Sequence, residues 1–239
     1  MPQQAHEDDR VQRCASLSGY GSYLFGQGRY EEARNTLLEA ALLMPDSDTT
    51  RRNLAVASSA SGLHEEAISI LSVLVRAHPE DAILHNAFGL ALHRAGRLGA
   101  ANEEFGRATE LAPAESEYWY HKGTNALAME RTQAAISALA RAVALPGAEA
   151  PCYFNLAMAL GAAGETERAT MFLQKAVALH PDDAATVVRA ARAMAGWGHF
   201  GVATESLRSF IAAGHVDVGA KELLNDLVNA PAQHDNDVS

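Results

Sequence analysis

Apolar and polar positions alternate along this chain with a helical period, interrupted by short turns. In "GRYEEARNTLLEAALLMP", residues 28–45, Ala33 and Leu37 fall on one helical face, whereas Glu31 and Glu32 open the helix. Apolar residues at this spacing predict an amphipathic α-helix. The leading glycine predicts the end of the preceding helix, and the closing proline predicts a stop, because proline lacks an amide donor. Three more segments read almost the same: 62–79, 96–113 and 164–181.

Aligned in rows of 34 residues, the chain gives regular columns. One column contains only alanine: Ala33, Ala67, Ala101, Ala135, Ala169 and Ala203. Four residues later a large apolar column follows: Leu37, Leu71, Phe105, Leu139, Leu173 and Leu207. A second small column lies in the first helix of each row: Gly21, Ala55, Gly89, Gly123, Ala157 and Ala191. The small columns predict close helix contacts, and each row therefore predicts a helix–turn–helix that needs its neighbours to bury its apolar seam.

This 34-residue hairpin with small, glycine, alanine and proline columns resembles the tetratricopeptide repeat. The resemblance implies an all-α fold, a right-handed α-solenoid of six helix–turn–helix repeats with a C-terminal capping helix. The predicted repeats are 14–47, 48–81, 82–115, 116–149, 150–183 and 184–217. A disordered or frayed N-terminus is predicted at 1–13, a capping helix at 218–230 with Asp217 as its N-cap, and a disordered tail at 231–239.

The fourth row departs from the pattern. Glu130 stands where the other rows have glycine, and the proline comes one residue early, as Pro146. A less tight turn and a bend in the stack are therefore expected there. The capping helix carries an apolar stripe, which is expected to cover the sixth row: Leu223, Leu224, Leu227 and Val228.

Composition excludes several classes of function. The 239 residues carry a net charge of −10, which argues against binding nucleic acid. No apolar run is long enough for membrane insertion, and the polar first residues do not look like a secretory signal, so a cytoplasmic protein is expected. Cys14 and Cys152 are expected to be reduced, inert thiols. The ten histidines show no metal-ligand spacing, and no phosphate-binding or nucleophile motif is present, so neither an enzyme nor a cofactor is predicted.

The family resemblance implies that the first helices line a concave face that holds an extended peptide. Helix phase against the buried columns predicts the residues of this groove: Arg52, Asn53, Val56, Asn86, Leu90, His93, Arg94, Tyr120, His121, Thr124, Leu127, Asn155, Met158, Arg189 and Arg192. The groove contains four arginines and one predicted acid, Glu117, and this positive balance favours an acidic or acidic–apolar peptide segment of a partner protein. Asparagine side chains can both donate to and accept from a peptide backbone. Only Asn155 and Arg189 match the carboxylate clamp of some family members, so an internal segment is favoured over a C-terminal one.

Three functions remain open. The leading hypothesis is a non-catalytic scaffold or adaptor that binds an extended or helical segment of a partner in its groove. The alternatives are a cytoplasmic chaperone for a secreted bacterial protein and a substrate-presenting subunit of a separate enzyme. The sequence leaves the oligomeric state open, because Trp197 could serve either a contact between copies or the packing of a turn.

Overall fold

The computed structural model describes the backbone of residues 2–229 and the side chains from residue 7 onward. Within these residues there are thirteen α-helices and no strand. They form two compact units that divide between Met129 and Glu130. The all-α repeat class predicted from the sequence is therefore confirmed, and each unit is described separately.

The N-terminal unit contains seven helices, each packed against the next. They are α1 (Pro2–Gly26), α2 (Tyr30–Leu43), α3 (Asp48–Ala60), α4 (His64–Ala77), α5 (Ala82–Arg94), α6 (Leu98–Leu111) and α7 (Ser116–Ala128). The first helices of successive rows also touch, α1 with α3, α3 with α5, and α5 with α7. This stacking places α3, α5 and α7 side by side.

The C-terminal unit contains six helices. They are α8 (Thr132–Ala144), α9 (Ala150–Ala162), α10 (Thr166–Leu179), α11 (Ala184–Gly196), α12 (Phe200–Ala212) and α13 (Val218–Asn229). The boundary between the units lies inside the predicted row 116–149, after its first helix. The most compact units of the chain therefore do not begin and end at row boundaries.

The small columns are where neighbouring helices come closest. All six residues of the alanine column are fully buried, and the large apolar column is at most 2% exposed. A Cβ added to Gly89 would lie 2.7 Å from Cδ1 of Phe105, and one added to Gly21 would lie 2.6 Å from Cγ of Leu37. Both distances are too short for carbon atoms, so alanine at either position would force the facing side chain to move.

The turns between the two helices of a row use a left-handed residue. Gly28, Gly62 and Gly96 have φ of 74°, 91° and 76°, and Gly164 and Gly198 behave alike, with φ of 83° and 85°. Glycine adopts this conformation without steric cost. In the fourth row Glu130 adopts it too, with φ of 58°, and it is the one non-glycine residue with positive φ in the described chain. The turn therefore keeps its shape there and carries backbone strain instead.

The N-terminus differs from the prediction. The expected disordered or frayed segment at 1–13 is wrong for residues 2–13, because α1 begins at Pro2 and runs without a break into the first row. No glycine interrupts residues 2–13, and Arg10 Nη2 donates a 2.6 Å hydrogen bond to the carbonyl oxygen of Leu43. This bond ties the extra turns of α1 to the end of α2.

One further helix, α13, follows the last row. Asp217 caps α13, its Oδ1 accepting a 2.7 Å hydrogen bond from the amide of Ala220, and α13 packs against α11 and α12. Ala220 is buried, and the three leucines of the predicted apolar stripe are half-buried: Leu223, Leu224 and Leu227. Val228 is 54% exposed, so its predicted place in the covering stripe is wrong. Val228 lies in the last turn of α13. The predicted tail at 231–239 lies outside the described residues.

Trp197 packs against the turn region of its own unit. A Cβ added to Gly161 of α9 would clash with the indole ring of Trp197, so the ring lies directly over this glycine. The turn-packing interpretation of Trp197 accounts for this contact.

Candidate peptide-binding surfaces

The predicted groove residues divide between the two units. Eleven lie in the N-terminal unit, on three neighbouring first helices that we call the α3–α5–α7 surface: Arg52, Asn53, Val56, Asn86, Leu90, His93, Arg94, Tyr120, His121, Thr124 and Leu127. Four lie in the C-terminal unit, on what we call the α9–α11 surface: Asn155, Met158, Arg189 and Arg192.

Asn86 and His121 form a hydrogen-bonded pair between α5 and α7. His121 Nδ1 lies 2.8 Å from Oδ1 of Asn86, and because a carbonyl oxygen only accepts, Nδ1 carries the proton. Asn86 is 6% exposed, so it does not line the open surface as predicted. Its role in the structure is to hold the ring of His121, whose second nitrogen is left as a hydrogen-bond acceptor.

The environment of His121 keeps the ring neutral. Burial lowers its pKa from 6.5 to about 4, and the charges of Arg94 and then His93 act in the same direction. The ring also lies against two aromatic side chains, with centroids 5.9 Å from Phe105 and 5.6 Å from Tyr120. At neutral pH His121 therefore offers an uncharged acceptor beside a cationic residue.

A second Asn–His pair links the other ends of the same helices. His93 Nδ1 donates to Oδ1 of Asn125 at 2.9 Å, and Nδ2 of Asn125 donates to the carbonyl oxygen of Leu98 at 3.0 Å. Asn125 is fully buried. The sequence reasoning missed it, although its column offered a signal: the equivalent residues are Ala57, Ala91, Ala159 and Ala193.

The open part of the α3–α5–α7 surface is apolar in the middle and cationic at its sides. Val56 and Leu90 are half-buried and pack on the core cluster below them. Arg94 is exposed and its Nη1 donates to Oγ of Ser59 at 3.3 Å, while Thr124 Oγ1 donates to the carbonyl oxygen of His121. The remaining predicted residues are partly exposed: Arg52, Asn53, Tyr120 and Leu127.

The α9–α11 surface is more open. The guanidinium of Arg189 lies over the ring of the buried Phe154, 4.3 Å from its centroid, which orients the arginine by a cation–π contact. Arg192 is exposed and Met158 is 39% exposed. Asn155 is half-buried and takes part in an interaction within the protein. Both arginines and Met158 are therefore accessible to a ligand.

The part of the chain that the structure describes holds no cluster of metal-ligating side chains and no membrane-spanning helix. Among those residues, no three His, Cys, Asp or Glu side chains cluster closely enough to hold a metal ion. No described helix is both long and apolar enough to cross a bilayer.

Two family models match the sequence, one in each unit. Both describe the tetratricopeptide repeat, and they cover residues 24–91 and 152–183. The chain therefore contains tetratricopeptide repeats in both units. Proteins of this family are in general non-catalytic scaffolds for protein–protein interaction. A comparison with curated proteins gave no match.

Several solved structures share the fold and are remote in sequence. A chain of the APC/C hetero-tetramer Cut9–Hcn1 is 20% identical, with a TM-score of 0.70 over 93% of this chain and 45% of that one. This chain thus spans less than half the length of that relative. TTC0263, a thermophilic tetratricopeptide protein of Thermus thermophilus, is 21% identical, with a TM-score of 0.67 over 76% and 98% of the two chains. YrrB is 18% identical, with a TM-score of 0.55 over 77% and 95%. These matches show the shared fold alone.

Proposed function

We infer that this protein is a non-catalytic scaffold that binds acidic–apolar segments of a partner protein on the first helices of its repeats. The observation that carries this proposal is the α3–α5–α7 surface, where half-buried Val56 and Leu90 are flanked by Arg52 and Arg94. Aliphatic side chains of a segment would contact the apolar centre, and its carboxylates would meet the arginines. The chain as a whole has a net charge of −10, so this surface differs in sign from the rest of the protein. A cationic surface attracts segments that carry Asp or Glu.

Backbone recognition is supplied by His121 and Asn53. The neutral imidazole of His121, held by Asn86, accepts a hydrogen bond from a peptide N–H through Nε2. Asn53 is partly exposed in the same column and supplies both a donor and an acceptor. Hydrogen bonds to the backbone give affinity without strict dependence on the sequence of the bound segment.

The α9–α11 surface offers the same combination in the C-terminal unit. Arg189 and Arg192 supply charge, and Met158 supplies an adaptable apolar contact. YrrB, which shares the fold, is described as a tetratricopeptide protein with an unusual peptide-binding site. That description is consistent with peptide binding by this chain.

Selection of peptides from a random display library on the purified full chain tests the proposal. We expect enrichment of segments that mix Asp or Glu with aliphatic residues. Arg52→Glu/Arg94→Glu or Arg189→Glu/Arg192→Glu should weaken binding of a selected peptide by at least about tenfold, which corresponds to about 1.4 kcal/mol.

The matched control reverses two arginines on second helices, Arg76→Glu in α4 and Arg141→Glu in α8, both exposed. This pair changes the net charge equally and should leave binding within about twofold. Enrichment of basic peptides, or equal loss in the control, would show that overall charge and not these surfaces governs binding.

A further inference from the structure

Two tyrosines on the first helix are exposed, although the equivalent residues of the next row are buried. Tyr20 and Tyr23 of α1 are 52% and 60% exposed, and their rings stack with centroids 6.3 Å apart and an interplanar angle of 17°. Two adjacent, rigid aromatic side chains on a surface are typical of a protein interface, because they bury much area at little entropic cost.

In α3 and α5, which follow another hairpin, the same positions are buried or partly buried. In α3 the equivalent residues are Leu54, 4% exposed, and Ala57, fully buried. In α5 they are Phe88, which is partly buried against the core, and Ala91, which is fully buried. This side of a first helix is therefore the side that receives the preceding hairpin. On α1, which packs against α2 and α3, the side is open to solvent, and we call it the leading face.

The leading face is a regular stripe along α1. Five members lie in α1, and the sixth, Gln27, lies in the turn directly after it. They follow one another at spacings of four and three residues: Asp9, Arg13, Ser16, Tyr20, Tyr23 and Gln27. Apart from the two tyrosines, all are polar or charged, and all six are exposed. Alternation of four and three is the seam spacing of paired helices. The neighbouring Gly19 has no side chain and the space beside it is open, so a second backbone can come close there.

The last repeat does not offer a matching open side. α13 packs against both α11 and α12, and Ala220 is fully buried in that contact. The last hairpin of a second copy is thus already covered and cannot take the place of a preceding hairpin on α1. Pairing of two leading faces gives a closed two-fold dimer and not a head-to-tail fibre.

The charges along the stripe favour antiparallel over parallel pairing of two α1 helices. With two α1 helices parallel, Asp9 would face Asp9 and Arg13 would face Arg13, and both pairs repel. In the antiparallel arrangement Arg13 lies opposite Tyr23 of the second copy, and Ser16 lies opposite Tyr20. Arginine over a tyrosine ring is attractive. Asp9 then faces the neutral Gln27.

We propose that the protein forms an antiparallel homodimer through the leading face of α1, with Tyr20 and Tyr23 at its centre. α1 is 25 residues long, or roughly 37 Å. The exposed parts of both tyrosines supply on the order of 250 Å² per copy, against about 800 Å² per partner in a standard interface. Most of the stripe must therefore take part, and a dimer of micromolar strength is expected.

Sedimentation velocity of the full chain at about 1 to 100 μM tests the dimer. We expect the weight-average mass to rise from monomer to dimer over that range, and Tyr20→Glu/Tyr23→Glu to remain monomeric at the highest concentration. The matched control is Leu42→Glu/Ile83→Glu, which removes two other exposed apolar side chains, 73% and 51% exposed. It should dimerise like the wild type, and circular dichroism should show equal helicity in all three proteins. A monomeric wild type, or a dimer that survives Tyr20→Glu/Tyr23→Glu, would overturn the proposal.

The direction of pairing has its own test, since the native thiols Cys14 and Cys152 are both buried. Asp9→Cys and Gln27→Cys proteins are oxidised separately and as a mixture. The antiparallel seam predicts a disulfide-linked dimer that forms mainly in the mixture. Efficient self-linking of each variant with no gain on mixing would indicate parallel helices and contradict the proposed seam.

Discussion

Equivalent positions on the first helices are used differently in the two units. In the N-terminal unit, the polar residues are tied together: Asn86 holds His121, and Asn125 holds His93. In the C-terminal unit, Arg189 and Arg192 occupy the columns of His121 and Thr124, and both are exposed. For these two arginines, the structure gives one side-chain contact, that of Arg189 with the Phe154 ring.

The difference shows that a polar residue on a first helix can serve one of two purposes. A side chain that bonds to the next hairpin stabilises the stack, because a buried polar atom without a partner is costly. A side chain that stays in solvent adds little to stability and remains available to a ligand. Substitutions should therefore affect folding in the N-terminal unit and leave it almost unchanged at the C-terminal arginines.

The largest expected effect is the pH dependence of stability contributed by His121. Because its pKa is lowered from 6.5 to about 4 in the folded protein, the unfolded chain binds the proton first as pH falls. The contribution to the free energy of unfolding is therefore complete above about pH 6.5 and decreases as pH falls towards 4, by roughly 3 kcal/mol in total. Urea unfolding followed by circular dichroism at pH 7 and pH 4.5 measures this decrease.

His121→Asn is the matched variant for that measurement. It places in this row the residue found at the same position in two others, Asn53 and Asn155, and it can still bond to Asn86 while it does not titrate. The difference in unfolding free energy between the two pH values should be smaller in this variant. An equal pH dependence in both proteins would show that His121 is not held neutral by burial.

The second effect concerns Asn125, where the repeat pattern and the structure give opposite expectations. The column is otherwise alanine from the second row onward, so the pattern alone favours Asn125→Ala as neutral or stabilising. The structure predicts a loss of about 2 kcal/mol, because His93 Nδ1 and the carbonyl oxygen of Leu98 both lose their partner. Chemical denaturation compares it with Arg192→Ala, which should change stability by no more than about 0.5 kcal/mol. Equal effects for both variants would remove the distinction between the units.

The smallest effect concerns the turn at Glu130. With φ of 58° this residue holds a strained conformation that glycine adopts freely in the equivalent turn of the N-terminal unit, at Gly96. Glu130→Gly should raise the free energy of unfolding by about 1 kcal/mol, and the reverse change Gly96→Glu should lower it by at least as much. Thermal unfolding measures both. A destabilised Glu130→Gly would mean that the side chain of Glu130 makes a contribution larger than the strain.

Helix phase predicted the exposure of some groove residues and not of others, and the difference lies in whether a neighbouring helix covers the side chain. Helix phase placed Arg94, Arg192 and Met158 on exposed surfaces, as the structure has them, because exposure on one helix follows from its own period. It also placed Asn86 there, although that side chain is 6% exposed. Its burial depends on the neighbouring helix, whose His121 reaches across to it.

The 34-residue period was sufficient to predict the family, the hairpins and the buried alanine and leucine columns, since each row repeats the same contacts. The start of the first helix was not predicted, because the hydrogen bond of Arg10 there is made to Leu43, at the end of another helix. The two Asn–His pairs also join residues of different rows, 32 and 35 positions apart. A periodic pattern describes what the rows have in common. Contacts peculiar to one pair of rows depend on how two particular helices pack, and they became visible only once α5 and α7 were placed side by side.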